Sequence, residues 1–226
     1  MNKWKIAFFF LFAICICFAF KRFYYQQTIM PEESSAWWKV RTEIFAGVPL
    51  APGSLLFLGD SHIEYSPFAE EFGGVNRGIC TEELHFLLKR LPEYLPSRPR
   101  ALVILTGIND IVQGRKDIEK DFDSLFAMCR GQKLFLLQIM PMAAKYPGSG
   151  RINPEVDSIN RFLKGRTMAL GIPLIPTLDA LADSVTWDGV HLNAAGYRAL
   201  CDKIGKAIAV GTPVGTECKS GHCVNI

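Results

Sequence analysis

Between residues 54 and 209, short continuous apolar runs alternate with stretches whose apolar residues recur every three or four positions. A run apolar on both faces suits a strand of a parallel sheet covered on each side, and the helical spacing suits the elements that cover it. The alternation therefore predicts an α/β domain with a five-stranded parallel sheet. Leu55-Leu56-Phe57-Leu58 is the first expected strand and Val75-Asn76 a short second; Ala101 to Thr106 and Leu134 to Ile139 form the central pair, and Ile172 to Ile175 is the fifth. Leu84, Leu87, Leu88 and Leu91 make one helical stripe, with Thr81 as its cap and Glu82 and Glu83 against the positive end of its dipole. Ile118, Phe122, Leu125, Phe126 and Cys129 make a second. Asn153-Pro154-Glu155 has the cap and first-turn proline of a third helix, and Asn193 caps a last one whose Tyr197, Leu200, Ile204 and Ile208 face inward. Residues 23–53 read as a connector with one short helix around Trp37 to Phe45, and 210–226 as a tail.

The N-terminal 22 residues do not fit this pattern. Ile6 to Phe20 is an uncharged, almost wholly apolar segment between Lys3 and Lys5 on one side and Lys21-Arg22 on the other. Its length falls between a signal-peptide core and a membrane span of about 20 residues, so export is expected. An uncleaved anchor, making a membrane the partner of this segment, is preferred over a cleaved signal because Cys17-Phe18-Ala19 is a poor cleavage site; a cleaved product would be periplasmic or secreted. The formal charge of +3 is due to this segment, since residues 23–226 carry 21 basic against 22 acidic residues. No basic face for nucleic acid is implied. With 226 residues and 49% hydrophobic composition, the rest is one domain. Of seven cysteines, Cys129 and Cys201 occupy apolar helical positions and read as core residues, whereas Cys218 and Cys223 could close a small disulfide loop or, with His222, give an incomplete metal-ligand set.

In open parallel sheets, ligands bind beyond the carboxyl ends of the strands. Ser61 follows strand one, Gly78 strand two and Asn109 strand three. A serine hydroxyl becomes nucleophilic when an imidazole takes its proton and a carboxylate orients that imidazole, and Asp188-Gly189-Val190-His191 supplies both partners from one turn. Each residue alone also serves as an ordinary cap or turn residue; their ordered joint occurrence is the signal. His62, adjacent to Ser61, should diverge from the hydroxyl and line the pocket wall or the surface, and His85 should be a surface or packing residue. Trp37-Trp38 is expected to pack against the domain rather than sit in a membrane interface. The loops 62–74, 111–116 and 140–153 should shape the pocket, with Met140, Met142 and Tyr146 as an adaptable wall.

Gly59-Asp60-Ser61, Asn76-Arg77-Gly78-Ile79, Gly107-Ile108-Asn109-Asp110 and Asp188 to Tyr197 together resemble, in order, the four blocks of the SGNH hydrolase superfamily, the GDSL esterases and lipases. The Asn-Arg-Gly-Ile phrase is most similar to the branch of platelet-activating-factor acetylhydrolase and small-ester deacetylases. Two departures stand out: His62 replaces an apolar residue, and Cys80-Thr81-Glu82 replaces a turn containing glycine and aspartate. The resemblance implies a three-layer α/β/α, flavodoxin-like fold, an acyl-enzyme mechanism without cofactor or metal, and a small-molecule, glycan or lipid ester as partner. It implies Ser61, His191 and Asp188 as catalytic residues and assigns the oxyanion hole to the amides of Ser61 and Gly78 and the Asn109 carboxamide; glycine at 78 would let the substrate oxygen approach the main chain. Alternatives kept open are a lysophospholipase or thioesterase, acyl transfer to an acceptor other than water, metal-assisted hydrolysis around Asp60, Asp110, Asp188 and His191, and a non-catalytic binding module. Oligomeric state is not legible.

Overall fold

The computed structural model describes residues 12, 14–17, 36–178, 181–210, 218–219 and 222–223. The expected signal or anchor at residues 1–22 lies largely outside them, and among the described residues no helix is long and apolar enough to cross a membrane. Helix α1 (Ala36–Gly47) precedes β1 (Leu55–Gly59), the short helices α2 (Ser61–Glu64) and α3 (Phe68–Phe72), β2 (Val75–Gly78) and α4 (Leu84–Tyr94). Then come β3 (Ala101–Leu105), α5 (Ile108–Gln113), α6 (Ile118–Met128), β4 (Leu134–Leu137), α7 (Ser149–Leu170), β5 (Leu174–Ile175) and α8 (Ala194–Val210). The five strands pair in parallel in the order β2-β1-β3-β4-β5, the flavodoxin-like arrangement.

Alternate residues of each central strand feed two separate cores. Leu56, Leu58, Leu102, Ile104, Leu134 and Leu136 pack with the stripes of α4, α6 and α7. Leu55, Phe57, Val103, Leu105, Phe135 and Leu137 pack with Phe68, Tyr197, Leu200 and Ile204. Both faces are apolar, which explains why these strands read as continuous runs. Strand β1 has β2 on one side and β3 on the other, so that Gly59 lies between Gly78 of β2 and Leu105 of β3 and the three strands end together.

Two helix starts differ from the sequence expectation. Thr81 does not cap α4: its φ is +63°, a region that β-branched residues rarely enter, and its hydroxyl bonds the Cys80 carbonyl instead. The first N–H of α4, on Leu84, is accepted by Asp110 Oδ2 at 2.9 Å, a cap delivered from the far end of β3. Glu82 turns away from the helix dipole into a buried pair with Arg90, at 2.7 and 2.5 Å. Helix α7 starts at Ser149, leaving Pro154 inside it, where proline supplies no main-chain donor. Asn153 is not its cap. Its carboxamide holds the Met142 N–H and C=O at 2.8 and 2.9 Å, and Asn160, two turns later, holds those of Ile139 at 2.9 and 2.8 Å. These two side chains replace sheet pairing where the chain leaves β4. Asn193 does cap α8, accepting from Ala195 and Gly196.

The Asp110 cap carries a pH signature. Burial pushes its carboxyl from an ordinary 3.8 up to about 7, against the opposing pull of the Leu84 N–H and Arg115. The unfolded chain releases this proton near pH 4 while the folded chain retains it, so the group makes stability fall as pH rises from about 4 to about 7. Asp110→Asn keeps a carbonyl acceptor for Leu84 and removes the titration. Urea midpoints across that window should lose this downward component; an unchanged slope would refute the assignment.

Helix α1 is part of the packed body. Phe45 is buried, Trp38 Nε1 donates to Glu82 Oε1 at 3.0 Å, and the Trp38 ring lies 5.8 Å from Phe86, while Trp37 is exposed. His85 stacks on Phe86 with ring centroids 3.9 Å apart. Cys129 is buried and Cys201 half-buried. At the C-terminus, β6 (Cys218–Lys219) and β7 (His222–Cys223) pair antiparallel with Cys218 opposite Cys223. The side-chain bridge or metal role expected there lies outside the described residues.

Candidate active site

The carboxyl end of β1 runs directly into α2. Asp60 is the N-cap of that helix, its Oδ1 accepting the His62 N–H at 2.9 Å, which places Ser61 in the first helical position at the rim of the sheet. The loop before α8 arrives at the same rim. Within it, Asp188 Oδ1 accepts the backbone N–H groups of Val190 and His191 at 2.9 and 2.8 Å, while Oδ2 lies 2.6 Å from His191 Nδ1. His191 Nε2 lies 3.1 Å from Ser61 Oγ, across 130 residues of sequence. A proton on Nδ1, facing the carboxylate, leaves Nε2 to accept from the hydroxyl.

Partial burial pushes the Asp188 carboxyl upward. The hydrogen bonds from the His191 ring and from the His191 and Val190 amides outweigh that effect and hold it down at about 2. This carboxylate is ionised throughout the neutral range. Ser61 is only 4% exposed, whereas the Asp188 side chain is 53% exposed, so the site is shallow and opens on the histidine side. Tyr65 is exposed nearby, its ring 5.6 Å from that of His191.

The residues expected to bind an oxyanion do not all present free donors. Asn109 Nδ2 donates one N–H to the Glu82 carbonyl at 3.0 Å and retains a second. Gly78 is different. Its N–H is donated to Asn76 Oδ1 at 2.8 Å, and the space a side chain would fill is occupied by the main chain of α2, with Ile63 C at 2.8 Å and Glu64 Cα at 2.7 Å. Glycine at 78 therefore admits a helix, not a substrate oxygen. The turn that follows is pinned by Glu64 Oε2, which accepts the Cys80 N–H, and by Arg41, which pairs with Glu64 at 3.2 Å and donates to the Gly78 carbonyl at 3.4 Å.

Two further expectations are corrected. Met140 and Met142 are core residues, 2% and 4% exposed, so the 140–153 loop does not supply an adaptable methionine wall. The four residues of the metal-assisted alternative do not converge: Asp60 faces His62, Asp110 faces Leu84, and Asp188 faces His191. Among the described residues, the His, Cys, Asp and Glu side chains close enough to share an ion are Glu83, His85 and Asp110. Arg115 Nε already lies 3.7 and 3.5 Å from the two carboxylates there.

A family model for the GDSL-like lipase/acylhydrolase family matches residues 57–199, from within β1 to the start of α8, and includes Ser61, Gly78, Asn109, Asp188 and His191. The chain belongs to this family. It is a carboxylic ester hydrolase of the GDSL type. Among solved structures, a GDSL-like lipase from Bacteroides thetaiotaomicron is similar over 78% of this chain and 98% of its own, at 21% identity and a TM-score of 0.65. A Streptococcus pneumonia protein provisionally described as a platelet activating factor is similar over 83% and 98%, at 24% identity and a TM-score of 0.65. Axe2, an acetylxylan esterase from Geobacillus stearothermophilus, is similar over 71% and 96%, at 18% identity and a TM-score of 0.56. At these identities the likeness is one of fold. No curated protein sequence matches the chain.

The GDSL blocks point to Ser61, Asn109, Asp188 and His191, and the fold brings the Ser61 hydroxyl, the His191 imidazole and the Asp188 carboxylate together. His62 was misjudged. It does diverge from the Ser61 hydroxyl, but its side chain turns inward and is 2% exposed, lining neither pocket nor surface. Its Nδ1 lies 3.1 Å from Asp60 Oδ1 and its Nε2 3.1 Å from the Val190 carbonyl. Consecutive helical residues point about 100° apart. That offset separates His62 from Ser61 without telling which way it goes.

Proposed function

We propose that this GDSL hydrolase cleaves small acyl esters, chiefly acetyl, from carbohydrate through a Ser61-His191-Asp188 triad. The observation that carries the reading is the continuous 3.1 and 2.6 Å path from the Ser61 hydroxyl through His191 to Asp188. In this mechanism Ser61 Oγ attacks the carbonyl carbon as its proton passes to His191 Nε2, and the carbonyl π electrons move to oxygen. Asp188 keeps the other ring proton on Nδ1 and steadies the imidazolium. The tetrahedral intermediate collapses with the Nε2 proton going to the leaving alcohol; water then repeats the sequence on the acyl-enzyme and restores the hydroxyl. The negative oxygen is received by the Ser61 N–H and the second N–H of Asn109. Each such donor is worth on the order of 10²–10³ in rate. Gly78 contributes only if Asn76 releases its amide.

Three features support a compact acyl group on a sugar. The site is shallow, the exposed Tyr65 beside His191 offers a ring face for a pyranose, and Axe2, similar in fold, is an acetylxylan esterase. Ile6 to Phe20 supports action outside the cytoplasm, either anchored at a membrane or released. The test is a series of p-nitrophenyl esters from acetate to palmitate together with acetylated sugars. Acetyl esters should give the highest kcat/KM, falling at least about tenfold by octanoate. Faster cleavage of the long chains would replace the acetylesterase reading with a lipid-hydrolase one.

A further inference from the structure

The mechanism above leaves His62 unused, although its buried ring joins the strand end that carries the nucleophile to the loop that carries the base. One neighbour, the Val190 carbonyl, can only accept, so at 3.1 Å Nε2 faces it as an N–H donor. The other, Asp60 Oδ1 at 3.1 Å from Nδ1, belongs to a fully buried carboxyl. Two placings of the protons satisfy both contacts: imidazolium against carboxylate, or a neutral ring against a carboxylic acid. Either way the pair holds two protons and no net charge. With one proton fewer, a lone pair must face an acceptor inside the protein and a buried negative charge is left, which is the costly state.

Val190 immediately precedes His191, and the peptide between them is held from both sides. Its N–H goes to Asp188 Oδ1 at 2.8 Å and its C=O to His62 Nε2. If that plane rotates, the His191 ring swings away from Ser61 Oγ. We infer that His62 is a positioning residue for His191, donating Nε2–H to the Val190 carbonyl, and that loss of a proton from the His62–Asp60 pair at alkaline pH, the one remaining ring proton then staying on Nδ1 against the Asp60 carboxylate, releases this hold. The inference rests on the reading of Ser61 and His191 as nucleophile and base.

The groups around the ring fix the direction of the effect. Burial disfavours the ring's positive charge, but the Asp60 hydrogen bond and charge, the Val190 carbonyl and the Asp188 charge outweigh it and hold the His62 pKa above its usual value. The His191 ring lies 5.9 Å away, and Tyr197 of α8 donates its hydroxyl to the His62 carbonyl at 3.2 Å. Tyr65, beside His191, titrates above the usual tyrosine range, pushed up first by the partial burial of its otherwise exposed side chain and then by Cys80 and Glu64. A neutral imidazole base alone gives a rate that rises with pH and then stays level. A titrating clamp adds a fall on the alkaline side.

The experiment measures kcat and KM for p-nitrophenyl acetate across the neutral and alkaline range on the full-length protein, its Ser61→Ala variant supplying the background. His62→Leu should lower kcat on the order of 10–100-fold with KM changed less than about threefold, the loss typical of a displaced catalytic group. His62→Gln, whose carboxamide can donate to Val190 and does not titrate, should recover most of that rate and show no alkaline fall. Should His62→Leu fail to fold, the test passes to His62→Gln and to the His62 ring N–H resonance in ¹⁵N-histidine-labelled protein. Its Nε2–H signal should be present at neutral pH and disappear with the same midpoint as kcat. Wild-type kcat and pH profile in His62→Leu, an alkaline fall retained in His62→Gln, or no such resonance at neutral pH would each overturn the proposal while leaving the hydrolase reading intact. Wild-type turnover by Ser61→Ala would remove both.

Discussion

Ser61→Ala is expected to lower kcat for p-nitrophenyl acetate by about 10⁴–10⁶-fold, because in the proposed mechanism the hydroxyl is the atom that bonds to the acyl carbon and no neighbouring group can substitute for it. The protein should still fold. A hydrogen bond such as the one from Ser61 to His191 contributes only about 0.5–1.5 kcal/mol to stability, and alanine fits the first position of a helix. The variant should therefore keep its circular dichroism and denaturation midpoint while losing both turnover and labelling by a fluorophosphonate. Labelling of Ser61 in the wild-type protein, detected by peptide mass, completes the test. Retained turnover with a wild-type midpoint would dismiss the triad, and absence of labelling in a well-folded wild-type chain would revive the non-catalytic module of the same fold.

A second substitution should act on the fold rather than the chemistry. Gly59 ends β1 at φ +142°, a conformation that residues with a side chain rarely adopt, and a Cβ built there overlaps the Leu105 carbonyl oxygen and comes within 2.8 Å of its carbonyl carbon. Those atoms belong to the neighbouring central strand and cannot move without parting β1 from β3. The same carbonyl accepts the Asp60 N–H at 3.3 Å, so the helix cap beside Ser61 would move with it. Gly59→Ala should cost more than about 4 kcal/mol, out of a total of about 5–15 kcal/mol for a domain of this kind. The expected result is little soluble protein, or a urea midpoint shifted far down with activity lost in proportion to the folded fraction. A midpoint within experimental error of wild type would show that the strand ends are not packed as described.

The sheet was legible because its strands are apolar on both faces: the runs beginning at Leu55, Ala101 and Leu134 stand out in the chain without reference to any partner. The site was legible because each of its residues lies directly beyond a strand or in one turn, where local spacing fixes position. What local spacing does not contain is the identity of a distant partner. The α4 cap comes from Asp110, 26 residues away, and Asn153 serves the Met142 backbone rather than its own helix. Thr81 violates the usual conformational preference of its residue type, so reading it as a cap from sequence misses the turn it makes. Gly78 shows the opposite error: a small residue was taken for an opening, whereas packing against α2 requires it. His62 was legible as an oddity but not as a tether, because the Val190 carbonyl it meets is 128 residues away.

The depressed titration of Asp188, near 2, has a consequence for proton counting. Asp188 keeps its charge as the pH falls from neutral to below 3.8, so in the proposed triad its protonation adds no proton to the count over that range. If the fall in turnover of the intact enzyme on acidification steepens with a second proton, Asp188→Asn should leave that second proton in place, and its disappearance in the variant would mean that the aspartate is far less acidic than its contacts dictate.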